Sequence, residues 1–143
     1  MYGARVSSDG ALSTAEAWLV RLLWLHAALS VLFVILAWRD GIAEHADLRF
    51  VVNTTGKDGL FAIMSVAAAL APRRRLGLVA LLIAAYGFLM LGEIFELLLA
   101  DPRKVLTFPS DRGATTYLLS WLAADAVLVA LFALLYRAAS SRR

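Results

Sequence analysis

The sequence of 143 residues contains no cysteine, only three prolines and two histidines, and only 17% charged residues. Without cysteine the chain forms no disulfide, no thiolate metal site and no thiol redox centre. Glycine-rich phosphate loops, pairs of metal-binding histidines and nucleophile elbows are also absent from the sequence, which argues against the soluble enzyme classes built on them. We therefore expect no cofactor of the chain's own, and any redox role would require one borrowed from a partner.

Hydrophobic residues are what the sequence has in excess. They make up 62% of the chain, with a mean hydropathy of +0.76, whereas soluble domains are about 45–50% apolar. Four apolar segments follow one another, and a membrane-spanning helix needs roughly 20 apolar residues. The sequence predicts an all-α fold, a polytopic membrane protein with a four-transmembrane-helix bundle as its single domain over residues 1–143, with no room for a soluble catalytic domain.

Local signals place the helices. Ser13 to Glu16 reads as a capping box, in which hydroxyl and carboxylate each bond an amide at a helix start. The stretch 48–52 is compatible with a short strand or an interfacial segment, so the second helix is predicted to begin only at Lys57 and to be short for a bilayer. Pro72 and the arginines after it predict a tight turn and an antiparallel hairpin. The predicted helices cover about 15–38, 57–71, 76–100 and 116–136.

Basic residues indicate the orientation. One side of the predicted topology carries eight lysines and arginines and the other carries six, and three of the eight lie together in the short turn 73–75. Because the positive-inside rule acts most strongly on short loops, both termini are expected in the cytoplasm. The net charge of +3 and the pI near 9.7 are explained by these helix-end residues. We expect a multi-pass protein of the cytoplasmic (inner) membrane, with lipid and not nucleic acid as its surroundings.

Two acids inside apolar segments are the strongest functional signal. Glu93 lies eight residues before the end of the third segment at Asp101, and Asp125 lies eight residues after Tyr117 in the fourth, so each is about 12 Å below the same boundary. They meet if the third and fourth helices are neighbours. Ionisable residues within the membrane are expensive and usually functional. The alternative is an interhelical hydrogen bond that serves only the structure, which contributes about 0.6 kcal/mol on average.

Neighbouring side chains extend this predicted polar pocket. Glu96 and Tyr86 share the helical face of Glu93, although Glu96 is nearer the boundary and is more simply explained as reaching outward to Arg103 or Lys104. Trp121 lies one turn before Asp125 on the fourth helix. The stripes of alanine at 67–69, 126 and 130 and the glycines at 77, 87 and 92 predict close approach between helices.

His26 on the first helix completes the candidate site. A lone histidine on an apolar helix is either a haem or metal ligand or, more often, a hydrogen-bonded part of the structure. A haem held within four helices would ordinarily show a second histidine at matching depth, and only His45 in a loop remains. We therefore assign no metal site and include His26 with the ligand-binding or proton-binding residues.

The arrangement resembles the small bacterial four-helix membrane proteins of the DoxX-like kind. The likeness rests on a long outer loop, a second helix entered by Lys57–Gly59, the arginine turn 73–75 and an acidic end of the third helix at Glu93 to Glu96. It is one of topology over most of the chain, and it carries no family site residue. The resemblance implies a cytoplasmic-membrane protein. Some members of that group are linked to quinone or sulfur redox complexes, so the resemblance also favours partnership with a redox complex.

Three functions remain open at this level. The first is a non-enzymatic accessory subunit that binds a larger redox or energy-transducing membrane complex, which the absence of a soluble active site favours. The second is a homo-oligomeric transporter or channel, or a binder of a small hydrophobic ligand, with Glu93, Asp125 and His26 as a protonatable pocket. The third is a membrane enzyme that uses the same acids on a lipid or quinone.

Overall fold

The computed structural model describes residues 13–43, 48–99 and 114–141, without the side chains at 40–43, 48–50, 96, 97, 99 and 114–118. In these ranges the chain forms four α-helices and no strand, as the sequence predicts. They are α1 (Thr14–Ala43), α2 (Leu48–Leu70), α3 (Arg75–Leu99) and α4 (Ala114–Ser140). The helices form a bundle in which α1 packs against α2 and α4, and α3 packs against α2 and α4.

Cross-helix contacts show that neighbouring helices are antiparallel. His26 of α1 bonds Ser65 of α2, while Trp38 further along α1 bonds Thr55 earlier in α2. Helix α4 likewise runs antiparallel to α1, since Trp121 contacts Phe33 and the later residue Phe132 contacts the earlier His26. The first turn of α1 closes through the predicted capping box: Ser13 N donates to Glu16 Oε2 and Glu16 N donates to Ser13 Oγ, each over 3.2 Å.

Helix α2 differs most from the prediction. It begins at Leu48 instead of Lys57, so the stretch 48–52 is helical, and α2 has 23 residues, a length of about 34 Å. Glycine and threonine at 54–56 are poor helix formers, but the buried positions of α2 recur on one face from Val51 onward. Burial of that face in the bundle outweighs the weak local propensity.

Three of the four helices are long and apolar enough to cross a membrane: Thr14–Arg39 in α1, Arg75–Phe95 in α3 and Leu119–Ser140 in α4. Among the described helices α2 alone falls short in apolarity, because its first half contains Asn53, Lys57 and Asp58. Its second half is apolar. The bundle is therefore polar inside toward the start of α2 and apolar toward the α2–α3 turn.

Buried residues recur every three or four positions on each helix, the spacing of a left-handed bundle seam. The seam of each helix mixes apolar with polar residues: Leu19, Leu23, His26, Ser30 and Ala37 on α1; Val51, Asp58, Ala62, Ser65 and Ala69 on α2; Arg75, Val79, Leu82 and Tyr86 on α3; Asp125, Phe132 and Ala139 on α4. Helix contact through small residues is confirmed for Ala68 and Ala69, which belong to the buried core, but not for Ala67, which is exposed. It is wrong for the glycines of α3, since a Cβ at 77, 87 or 92 would meet no atom within 4 Å, and Ala126 and Ala130 are exposed.

Phe132 gives a test of this core. Its side chain is fully buried, whereas Phe88 on the outer face of α3 is 78% exposed. We expect Phe132→Ala to lower the free energy of unfolding by about 3–5 kcal/mol, because it leaves a cavity, and Phe88→Ala to change it by less than about 0.5 kcal/mol. Unfolding in mixed micelles of increasing denaturing-detergent content measures both. Equal losses would contradict the assigned core.

Candidate functional site

A chain of three hydrogen-bonded side chains joins three helices at the centre of the bundle. The Nδ1 atom of His26 lies 2.7 Å from Ser65 Oγ, and its Nε2 atom lies 2.6 Å from Tyr86 Oη. All three side chains are buried, with Ser65 fully so. Aromatic rings enclose the imidazole: Phe132 meets it edge-on at 5.5 Å and Phe61 lies 6.3 Å away.

The hydrogen-bond chain has two possible proton arrangements. A neutral imidazole donates from one nitrogen and accepts at the other, and each hydroxyl either donates or accepts. Ser65 donates to His26 while His26 donates to Tyr86, or both bonds run in the opposite direction. Switching between the two arrangements moves protons from one end of the chain to the other, which is the behaviour of a proton relay.

Two carboxyl groups on diagonally opposite helices lie beside this chain. Asp58 of α2 and Asp125 of α4 are each 5% exposed, and the Oδ2 atom of each is buried with no hydrogen-bond partner among the described residues. The Asp125 carboxyl is within electrostatic range of Lys57 and Asp58, and the Tyr86 hydroxyl is within range of both acids. We call His26, Ser65, Tyr86, Lys57, Asp58 and Asp125 the interior polar cluster.

Lys57 is held by an aromatic face. Its Nζ lies 5.2 Å from the ring centroid of Trp121, and the Trp121 ring lies 5.1 Å from Phe33. A cation over an indole is attracted by about 0.5–2 kcal/mol, more where water is excluded. This contact places the ammonium group on the α4 side of α2, one helical turn from Asp125.

The hydrogen-bonded pair of Trp38 and Thr55 is a reference point for the depth of the interior polar cluster within the bundle. The Trp38 indole N–H donates to Thr55 Oγ1 over 2.8 Å, and that hydroxyl donates to Val51 O over 2.7 Å. Counting along α2 from this pair, Asp58 is about 4.5 Å deeper and Ser65 about 15 Å deeper. The cluster therefore reaches from the polar first half of α2, which contains Lys57 and Asp58, to Ser65 near the centre of the bundle.

The structure unites most of the predicted site residues. His26 and Tyr86 are hydrogen-bonded, and Asp125 and Trp121 lie on the same side of the interior as Lys57. Glu93 is half-buried with its Oε2 inside the protein, two turns beyond Tyr86 on the same face of α3, or about 10 Å nearer the Trp38 end. Its pairing with Asp125 stays a prediction. The Glu96 side chain lies outside the described residues.

Sequence reasoning missed Ser65, Lys57 and Asp58 as members of the site. Starting the second helix at Lys57 made Lys57 and Asp58 look like helix-start residues in contact with solvent. A usable signal existed, because the buried residues of α2 keep the spacing of one helical face. They are Val51, Asp58, Ala62, Ser65 and Ala69. Extending that face backward would have placed Asp58 inside the bundle.

Comparison with protein-family models, curated proteins and solved structures found no match to this chain. The class of protein therefore follows from the structure alone. It is an all-helical bundle with three helices long and apolar enough to cross a membrane and with a cluster of polar side chains in its interior. Within the described residues no group of three or more histidines or acids is placed to hold a metal ion.

The hydrogen bond between His26 and Tyr86 can be tested on its own. In Tyr86→Phe the Nε2 atom loses its partner inside the protein, so we expect a loss of about 1–3 kcal/mol in the free energy of unfolding. Tyr136→Phe removes a hydroxyl from a half-buried tyrosine near the other end of the bundle and serves as the matched control, with an expected change under about 0.5 kcal/mol. Nitrogen NMR of the imidazole should show a shifted Nε2 signal in Tyr86→Phe and an unchanged one in Tyr136→Phe. An unchanged His26 spectrum would rule out the bond.

Proposed function

We propose that the interior polar cluster binds and transfers protons, and that the protein is a small membrane carrier or ligand-binding protein driven by that protonation. The observation that supports this most is the pair of buried, unpartnered carboxyl oxygens on Asp58 and Asp125 beside the hydrogen-bond chain of His26. Acids that face a bundle interior are characteristic of ion and proton pathways in membrane proteins.

The charge balance of the cluster supports a proton as the bound species. Asp58, Asp125 and Lys57 lie within electrostatic range of one another. If all three groups are ionised, two carboxylates face one ammonium and leave one net negative charge. An uncompensated charge removed from water costs several kcal/mol. A proton on one carboxyl cancels that charge and adds the hydrogen-bond donor that the unpartnered oxygens lack.

The hydrogen-bond chain supplies a route for this proton. Tyr86 belongs to the chain and lies within electrostatic range of both acids. Ser65, at the other end of the chain, lies about two turns deeper along α2 than Asp58. A proton received at the acids and passed along Tyr86, His26 and Ser65 travels toward the apolar half of the bundle. A ligand that competes with this proton would be driven by the proton gradient across the membrane.

The function is tested with purified protein in sealed lipid vesicles that contain a pH-sensitive dye. A potassium gradient with valinomycin imposes a potential, and we expect proton movement above that of empty vesicles. Asp125→Asn should reduce it to the empty-vesicle level, because the amide keeps the shape and cannot take up the proton, whereas Asp125→Glu should retain part of it. Glu16→Gln at the start of α1 is the control acid. Wild-type proton movement in Asp125→Asn would refute the proposal.

A second candidate function, an accessory subunit of a larger membrane complex, is favoured by the outer face of α3. Large side chains recur there at heptad spacing and are strongly exposed: Leu81, Phe88, Leu91, Phe95 and Leu98. This spacing fits the knobs of one helix into the holes of another. The same proposal places the protein in the cytoplasmic membrane with four crossings and both termini inside, as the arginine turn favours.

Native mass spectrometry after purification in mild detergent tests the accessory function. Stable co-purification with unlike chains is expected, and Phe88→Ala combined with Phe95→Ala should abolish it. Ile63→Ala combined with Leu134→Ala, on the exposed faces of α2 and α4, is the matched control and should leave it intact. A monomer or a homo-oligomer alone would exclude this function.

A further inference from the structure

Arg75 has a buried guanidinium group that is only partly used by the protein. The residue is 4% exposed and is the first of α3. Its Nε donates to Ala68 O over 3.2 Å and its Nη2 donates to Ala69 O over 3.1 Å. These carbonyls belong to the last turn of α2, where no backbone N–H of the helix is available to donate to them. One edge of the guanidinium therefore caps the C-terminal end of α2.

The other end of the guanidinium has no acceptor. Nη1 is buried and has no hydrogen-bond partner among the described residues. Because the group is planar and its Nε–Nη2 edge faces the α2 carbonyls, Nη1 is directed away from that helix end. Buried donors without a partner are rare in folded proteins, and each one needs an explanation. An acceptor that the protein itself does not supply would provide it.

The surroundings of Arg75 favour an anion as that acceptor. Arg73 and Arg74 are exposed in the turn beside it, and Arg21 and Arg137 are exposed at the same end of α1 and α4. The acid described at this end is Glu16, whose Oε2 already accepts from Ser13 N. The N-terminus of α3 adds the positive end of a helix dipole. A phosphate oxyanion matches this chemistry, since arginine binds phosphate through two parallel N–H donors.

We propose that the α2–α3 end of the bundle binds one anionic phospholipid, with its phosphate on Nη1 of Arg75 and on the exposed Arg73 and Arg74. A membrane lipid is the source because this end of α3 begins a candidate membrane span, at the level where phosphates of a bilayer lie. Basic sites between helices at the membrane surface characteristically hold acidic headgroups. Nη1 is closed to water, so binding moves the side chains that cover it and release is slow.

Native mass spectrometry with defined lipids tests this site. The protein in mild detergent is mixed with phosphatidylglycerol or with phosphatidylcholine, and we expect one phosphatidylglycerol to remain bound under activation that strips phosphatidylcholine. Arg75→Lys keeps the charge and loses the planar donor pair, so occupancy should fall at least about ten-fold. Arg21→Gln and Arg137→Gln remove a charge at the same end and should lower it less than about two-fold. Equal losses in all three variants would show diffuse attraction and overturn the proposal.

A second pair of measurements keeps the test decisive if Arg75→Lys fails to fold. Arg73→Gln combined with Arg74→Gln leaves the bonds of Arg75 to α2 intact, and we expect phosphatidylglycerol occupancy to fall about three-fold or more. Full occupancy in this variant would contradict the proposal. Inorganic phosphate at millimolar concentration is the other arm. If it displaces the lipid completely, the site is one for free phosphate and the lipid assignment fails, whereas retained lipid supports it.

Discussion

Polar side chains at buried seam positions are the constraint on which the rest of this structure depends. The hydrocarbon of a bilayer offers no water, so a polar group buried in the bundle is costly unless it has a hydrogen-bond partner. His26 meets this need by bonding α2 and α3 at once through its two nitrogens. Only one register of the three helices brings Ser65 and Tyr86 to the same imidazole. The bonds therefore select the alignment of the helices as much as they stabilise it, as single polar residues do in coiled coils.

Helix α2 makes the interior chemistry possible. Its first half is too polar to face lipid alone, and the helix is stable because α1 and α3 flank it. The same polarity supplies Lys57 and Asp58 to the centre of the bundle. A uniformly apolar α2 would pack equally well on its small residues Ala62, Ala68 and Ala69, but it would leave Asp125 without a charge of either sign nearby.

The fold was largely predictable from the sequence and the site only in part. Long apolar segments, the capping box at Ser13 and the turn at Pro72 are local signals, and the structure confirms each of them. The start of α2 was misplaced because Thr55 and Gly56 argue against a helix locally, while the packing that overrides them involves residues distant in sequence. For the same reason His26 and Tyr86 were both singled out, but their bond was not foreseen, since it depends on how two helices are rotated.

The separation of polar and apolar halves has an electrical consequence. The interior polar cluster lies between Trp38 and Ser65, whereas the opposite half is filled by Leu19, Leu23 and Val79. A transmembrane voltage drops mainly across the part of a protein with the lowest dielectric constant, and moving one charge through the full voltage is worth about 2.3 kcal/mol per 100 mV. In a membrane, the field across this bundle would therefore be strongest in its leucine-rich part. Ser65 and its partner His26 lie at the edge of that part, with Ser65 about 10 Å beyond Asp58 along α2. A charge that passes beyond His26 would therefore cross most of the voltage within a few turns of helix.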